Sequence, residues 1–248
     1  VTRRSRRILA WSLGGAVAVG LLIVGYIVAD QALRGVMEQQ IGDEVTAGLP
    51  ENVSVDPVVT VGGASAIAQY LSGSLDSVIV EADPITVDGV RLSAHLEAQG
   101  VPIDAEKPVR DIQATAVIDQ AALNSWTAAS GEPGTVVLGD ETVGYDGVVS
   151  LFGFEIGYNV AAVPVIDGPW IDLQPKTASV TNGSLQLDVK ELLGALSDKN
   201  VRICAAQYLP AGLSLSSIQV QPGEATVKLT GTDLMLAQLD EGTSGSCP

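Results

Sequence analysis

The sequence predicts an α+β protein: an N-terminal transmembrane helix followed by a long curved antiparallel sheet packed on a few helices. Three observations carry this reading. Arg3, Arg4, Arg6 and Arg7 run directly into Ile8 to Ala29, 22 residues without a charge. From Val78 onward, short runs of β-prone residues, one of them strictly alternating, are separated by turn residues. Apolar residues recur at helical spacing in only a few short stretches.

At ~1.5 Å rise per residue the uncharged run reaches about 33 Å, enough to cross a hydrocarbon core of ~30 Å. The arginines fix its direction, because basic flanks stay on the cytoplasmic side, so that everything from Asp30 onward is delivered outside. A cleaved secretory signal is the rival reading. Its apolar core is usually about 7 to 15 residues long, with small residues near the cut. Val28-Ala29-Asp30 is a poor small-x-small site, which favours an uncleaved anchor and a single-pass protein of the cell membrane.

Residues 30 to 248 hold nine Lys or Arg against 29 Asp or Glu, a formal charge of −20. Affinity for phosphate backbones comes mainly from lysine and arginine, so a nucleic-acid ligand is disfavoured. The same charge opposes polybasic docking on anionic headgroups. With only two Phe in the chain, the core is expected to be built from Val, Leu, Ile and Ala.

Beyond the span, Leu33, Val36, Met37, Ile41, Val45 and Leu49 form one apolar stripe of a helix over Asp30 to Leu49, ended by Gly48-Leu49-Pro50. Val53 to Val61 is β-rich and is broken by Gly62-Gly63, and Ala64 to Leu71 is a short helix closed by Ser72-Gly73. In Arg91 to Gln99, Leu92, Ala94, Leu96 and Ala98 point one way while Arg91, Ser93, His95, Glu97 and Gln99 point the other. Further strands are expected at Ile112 to Ile118, Thr135 to Leu138, Val148 to Leu151, Phe154 to Val163, Ile171 to Leu173, Ser179 to Thr181, Leu185 to Leu187, Leu215 to Val220 and Ala225 to Thr230. Asp88-Gly89, Asp146-Gly147, Asp167-Gly168-Pro169 and Asn182-Gly183 are read as turns. Such close spacing argues for antiparallel pairing, since parallel strands need long crossovers. Helices are expected at Gln120 to Ala129, capped by Asp119, and at Val189 to Leu196, capped by Asp188.

Cys204 and Cys247 are expected to pair outside the cell and to tie down a Gly/Ser-rich tail, Glu241 to Pro248. Two Cys and one distant His do not supply a metal site, and no cofactor is expected. His95 falls on the polar face of its strand, and Asp140-Glu141 and Asp240-Glu241 lie in turn-like or tail segments. Without a nucleophile elbow, zinc helix or phosphate loop, an enzyme is disfavoured. A scaffold that positions a membrane glycosyltransferase would need the anchor but no cavity.

Val59-Thr60-Val61-Gly62-Gly63, followed by Ile67 to Leu71, Ser72-Gly73 and Ser77-Val78-Ile79-Val80, resembles the opening signature of the LmeA-like phospholipid-binding family of actinobacterial envelope proteins. Leu209 to Leu215, Ile218 to Gly223 and Leu229 to Leu234 resemble its closing signature. Ala64-Ser65-Ala66 departs from the bulkier residues usual after the glycines, which implies a smaller or differently shaped entrance. The resemblance implies a tubular lipid-binding (TULIP-like) architecture, a phosphatidylinositol-type ligand and a role in lipomannan elongation or envelope integrity. It divides the chain into an anchor over 1–29, a lipid-binding ectodomain over 30–240 and a tail over 241–248. An apolar groove is then expected between Leu33, Val36, Met37, Ile67, Tyr70 and Leu71 on helices and Val78, Val80, Leu92 and Leu96 on strands. An acyl chain can bind there without headgroup charge contacts, at about 0.8 kcal/mol per methylene.

Overall fold

The computed structural model describes residues 3–49, 52–129, 131, 134–151, 154–182, 185–188, 201–235 and 244–247. One helix, α1 (Arg3–Ala47), opens the chain. It takes in both the expected span and the expected amphipathic helix, which the sequence reading had placed as two elements. No proline or cap interrupts the chain between them, and the charge of Asp30 is absorbed by partners on the sheet side rather than by a break. From Gly20 onward α1 is long and apolar enough to cross a membrane, with a mean hydropathy of 1.4. Leu21 and Leu22 are 69% and 73% exposed, so nothing among the described residues covers them.

Two short strands follow, β1 (Val53–Val55) and β2 (Val58–Val61), separated at Asp56-Pro57 where proline withholds a ladder donor. Helix α2 (Ala66–Ser72) is capped by the Ser65 hydroxyl, which accepts from the Ala68 amide, and ends at Gly73 in the left-handed conformation. Next come the long strands β3 (Ser74–Val87), β4 (Val90–Pro102) and β5 (Pro108–Asp119). Asp88 and Gly89 both have positive φ, as a tight two-residue hairpin requires. Helix α3 (Gln120–Ala129) starts where Asp119 accepts from the Ala122 amide at 2.6 Å.

The remaining strands are β6 (Thr135–Leu138), β7 (Val143–Leu151), β8 (Phe154–Asp167), β9 (Trp170–Asn182), β10 (Leu185–Asp188), β11 (Val201–Cys204), β12 (Ser214–Gln221) and β13 (Glu224–Met235). All pair antiparallel, as expected, but in two sheets rather than one. The order is β1-β3-β4-β5-β13-β12 with β2 beside β3, and β10-β9-β8-β7-β6 with β11 beside β9.

Three details differ from the sequence reading. Asp146-Gly147 is not a turn but lies inside β7. Asp146 accepts from the Asn159 amide on β8, and the Tyr158 ring fills the space a Cβ at 147 would take. The segments at Ile171 to Leu173 and Ser179 to Thr181 are one strand, because a bulge between Pro175 and Thr177 lets pairing with β8 continue past Lys176. Strand β11 was not expected. The helix expected at Val189 to Leu196 and the acids Asp240-Glu241 lie outside the described residues.

Packed clusters lie at the two ends of the first sheet. One end holds Val61, Leu75 and Val78, with Met37 and Ile41 of α1 against them, beside Ala98, Val109, Ile112 and Leu234. At the other end Leu138, Val220 and Ala225 pack with Leu123 of α3 and join the two sheets. Cys204 and Cys247 form a disulfide across 43 residues, and Gly245 donates its amide to the Leu209 carbonyl.

A polar ladder joins α1 to the sheet. The Arg34 guanidinium donates to the carbonyls of Val61, Gly62 and Gly63. Glu38 accepts from the Val61 amide at 2.9 Å. Asp30, buried, accepts from the Ser65 hydroxyl at 2.6 Å and the Ile67 amide at 3.0 Å. The Ser65 hydrogen bond, then that of Ile67, hold the Asp30 carboxyl below the usual carboxylate range.

Two outcomes follow from these contacts. A carboxylate whose pKa falls on folding contributes stability above its unfolded value, and that contribution disappears as pH drops through the folded value. Hydrogen-exchange protection of the Ile67 amide is therefore expected to fall in acid, and Asp30→Asn should remove that pH dependence; an unchanged profile in the variant would assign it to another group. Separately, replacing both cysteines by serine should cost up to about 4 kcal/mol in urea unfolding, the loop-closure value for this separation; no change would mean the tail is held by its hydrogen bonds alone.

Candidate functional site

The site is built from cross-strand rows on one face of the first sheet. Because side chains alternate, residues in register across the strands share a face. The first row, Val61, Val78, Ala98, Ile112 and Gly231, is buried throughout. At the far end of the face, Ala225 and Val220 are buried beside Leu138.

Between these closed ends the face is less completely packed, with Val59, Val80 and Leu96 leaning on the clusters at one end and Ile218 on that at the other. The second row, Val59, Val80, Leu96, Ala114, Leu229 and Leu215, is half-buried in every member. In the third row Ala82 is buried, while Ala94, Ala116, Val227 and Ile218 are half-buried. Alanine at 82, 94, 114 and 116 leaves the centre of the face lower than its leucine and valine borders. The second row crosses six strands, ~24 Å at about 4.8 Å per strand. One leaflet of a bilayer spans about half of a ~30 Å core, so the trough is long enough for a hydrocarbon tail.

No polar group of this face interrupts the rows. Polar residues lie on the opposite side, where His95 Nδ1 stands 3.7 Å from Glu81 Oε1 in an exposed cross-strand pair. Asp140 and Glu141 are exposed in the β6–β7 turn. Among the described residues no group of His, Cys, Asp or Glu is placed to hold a metal ion. What the trough offers is apolar surface alone. Ten methylenes removed from water would contribute about 8 kcal/mol before the cost of ordering the chain.

The residues singled out in the sequence are dispersed around this trough. Val80 and Leu96 lie in its second row, and Leu92 is half-buried beside Ile85 at the hairpin end. Val78 and Met37 belong to the packed cluster that closes one end. Leu33 and Ile67 are half-buried at the junction of α1 and α2. Val36, Tyr70 and Leu71 point away from the packed face, 60%, 54% and 80% exposed. Sequence reasoning missed Ala114, Ala116, Val227, Leu229 and Leu215. The alternation Ile112-x-Ala114-x-Ala116-x-Ile118, with its small central pair, was the available signal.

An antiparallel sheet with an aliphatic, incompletely buried face between packed ends is suited to holding an apolar chain. The chain belongs to the LmeA-like phospholipid-binding family, whose model matches residues 28–230. No curated protein and no solved structure matches it significantly.

Ala114→Phe is expected to fill the trough and weaken displacement of a fluorescent fatty acid at least about tenfold, or about 1.4 kcal/mol, with little change in unfolding midpoint. Were the site ordinary packed core, the same change would instead cost about 1–3 kcal/mol of stability through overpacking.

Proposed function

We propose that this protein is a non-catalytic, membrane-anchored phospholipid holder whose ligand lies with an acyl chain in the trough of the first sheet. The observation that carries the reading is the second row and most of the third, aliphatic surface only half-buried between the packed clusters, in a chain of a phospholipid-binding family. Val80, Leu92 and Leu96 would contact the chain directly. Leu33, Met37, Ile67 and Val78 would flank one end of it, while Val36, Tyr70 and Leu71, also expected at the groove, face away from it.

In this reading α1 is an uncleaved single-pass anchor with its arginines in the cytoplasm. Residues 30–240 then form one extracytoplasmic lipid-binding unit, with 241–248 as its tail. The exposure of Leu21 and Leu22 and the continuity of α1 into the polar ladder support an anchor over a discarded signal, because cleavage near Ala29 would cut the helix just before Asp30. A phosphatidylinositol-type headgroup, a TULIP-like architecture and a place in envelope lipid or lipoglycan assembly are proposed from the sequence resemblance rather than from the geometry. A membrane glycosyltransferase is the proposed partner.

Lipid extraction from the purified chain followed by mass spectrometry tests the reading, with Ala114→Phe as the reference because it retains the same anchor and the same detergent shell. The expected result is one phospholipid class, near one per chain, present in the parent and depleted in the variant. Equal lipid content in both would remove the trough from consideration.

A further inference from the structure

The contacts between α1 and the segment after it form an ordered series. Gly42 meets Val59, Glu38 meets the Val61 amide, Arg34 meets the carbonyls of Gly62 and Gly63, and Asp30 meets Ser65 and the Ile67 amide. Last, the Tyr26 hydroxyl lies 2.7 Å from the Ser65 hydroxyl. The chain from Val59 to Ile67 therefore runs back along α1 toward the apolar span. Helix α2 sits at the level of Tyr26 and Asp30, where the uncharged run ends. Tyrosine at that level is the residue type favoured at a membrane–water interface.

Register places the neighbouring turn at the same end. Ser74 pairs with Pro102, and the Ile103 amide donates to the Gly73 carbonyl at 3.1 Å. Tyr70, Leu71 and Ile103 are 54%, 80% and 44% exposed there. In a chain with 29 acidic residues, Pro57 to Leu75 contains no Asp, Glu, Lys or Arg. The nearest charges on the turn, Asp104 and Lys107, pair with each other at 3.5 Å, and Glu106 and Asp76 are exposed beside them.

We propose that α2 and Ile103 form a second, non-spanning membrane contact: a foot whose Tyr70, Leu71 and Ile103 side chains enter the outer-leaflet interface beside the span. This rests on the reading of α1 as an anchor. The occupant is the lipid surface, because α1 brings the patch to it and because the absence of charge over Pro57–Leu75 removes the cost of burying ions among headgroups. Attraction to anionic lipid is not required, in keeping with the acidity of the rest. The strands rise from this foot, so the packed end of the sheet faces the bilayer and the open rows stand away from it.

The full-length chain in phosphatidylcholine vesicles tests the proposal through single nitroxide labels at Leu71→Cys, Ile103→Cys, Leu21→Cys and Arg91→Cys. Arg91 is exposed and pairs with Thr86, eight residues along β3 from Val78, about 26 Å farther from the foot. Labels at 71 and 103 should collide more with dissolved oxygen than with a water-soluble nickel chelate, and the label at 91 should show the reverse. If 21 reports lipid but 71 and 103 resemble 91, the anchor stands and the foot is wrong. If 21 also reports water, the anchor reading fails first. Spin–spin broadening between copies at 71 would assign the patch to a second chain and overturn the proposal.

Discussion

The structure depends on one set of hydrogen bonds, those by which Asp30, Arg34 and Glu38, spaced one turn apart on α1, satisfy the backbone around Gly62 and Gly63. That loop leaves β2 and must reach Ser65 before any regular element can donate to its carbonyls. An unpaired buried peptide group would cost on the order of 1–3 kcal/mol. The guanidinium supplies donors in a fixed fork that a lysine could not reproduce. Gln69 completes the junction, donating to the Gly62 carbonyl and accepting from the Asp76 amide. Gly63, at φ +89, is held against the Gln69 amide, where a Cβ would collide. The apolar helix and the sheet are thus joined by fixed polar geometry, not by a flexible linker.

That rigidity bears on the trough. A sheet face left half-open gives up burial that the same residues could have supplied had larger side chains filled it. Four alanines across β3, β4 and β5 forgo that gain, and the closed ends compensate, with Val109 and Leu234 almost wholly buried at one end and Leu138 with Val220 at the other. Stability is concentrated at the ends of the long strands, and the rows between them are packed less completely.

Parts of this were legible in the sequence because they are set by neighbours along the chain. The alternation in Arg91 to Gln99 is legible because one face of β4 is aliphatic and the other polar, so period two is written directly into residue type. Helix α2 is bounded by a serine cap and a left-handed glycine, both local signals. The division into two sheets was not legible, since it depends on β5 choosing β13, more than a hundred residues away, over β6. Asp146-Gly147 misled because glycine before a β run signals a turn only when nothing needs its missing side chain; here an aromatic ring from the next strand does. The ladder could have been found, for Asp30, Arg34 and Glu38 recur at i, i+4 and i+8. Reading that stretch for its apolar stripe alone hid the polar face that makes the attachment.

The distribution of charge connects these features. A body carrying about −20 is repelled from anionic lipid over a Debye length of ~8 Å at physiological salt, so it cannot find its orientation by electrostatic attraction. On the reading of α1 as an anchor, orientation comes from geometry: a helix that continues unbroken from span to sheet, and an uncharged segment returned along it. The same scarcity of positive charge weakens any account of ligand selection that begins with headgroup phosphate. If the proposed trough holds the lipid, affinity would come chiefly from the hydrocarbon, and discrimination between headgroups would have to come from polar contacts outside its walls, which are uniformly aliphatic.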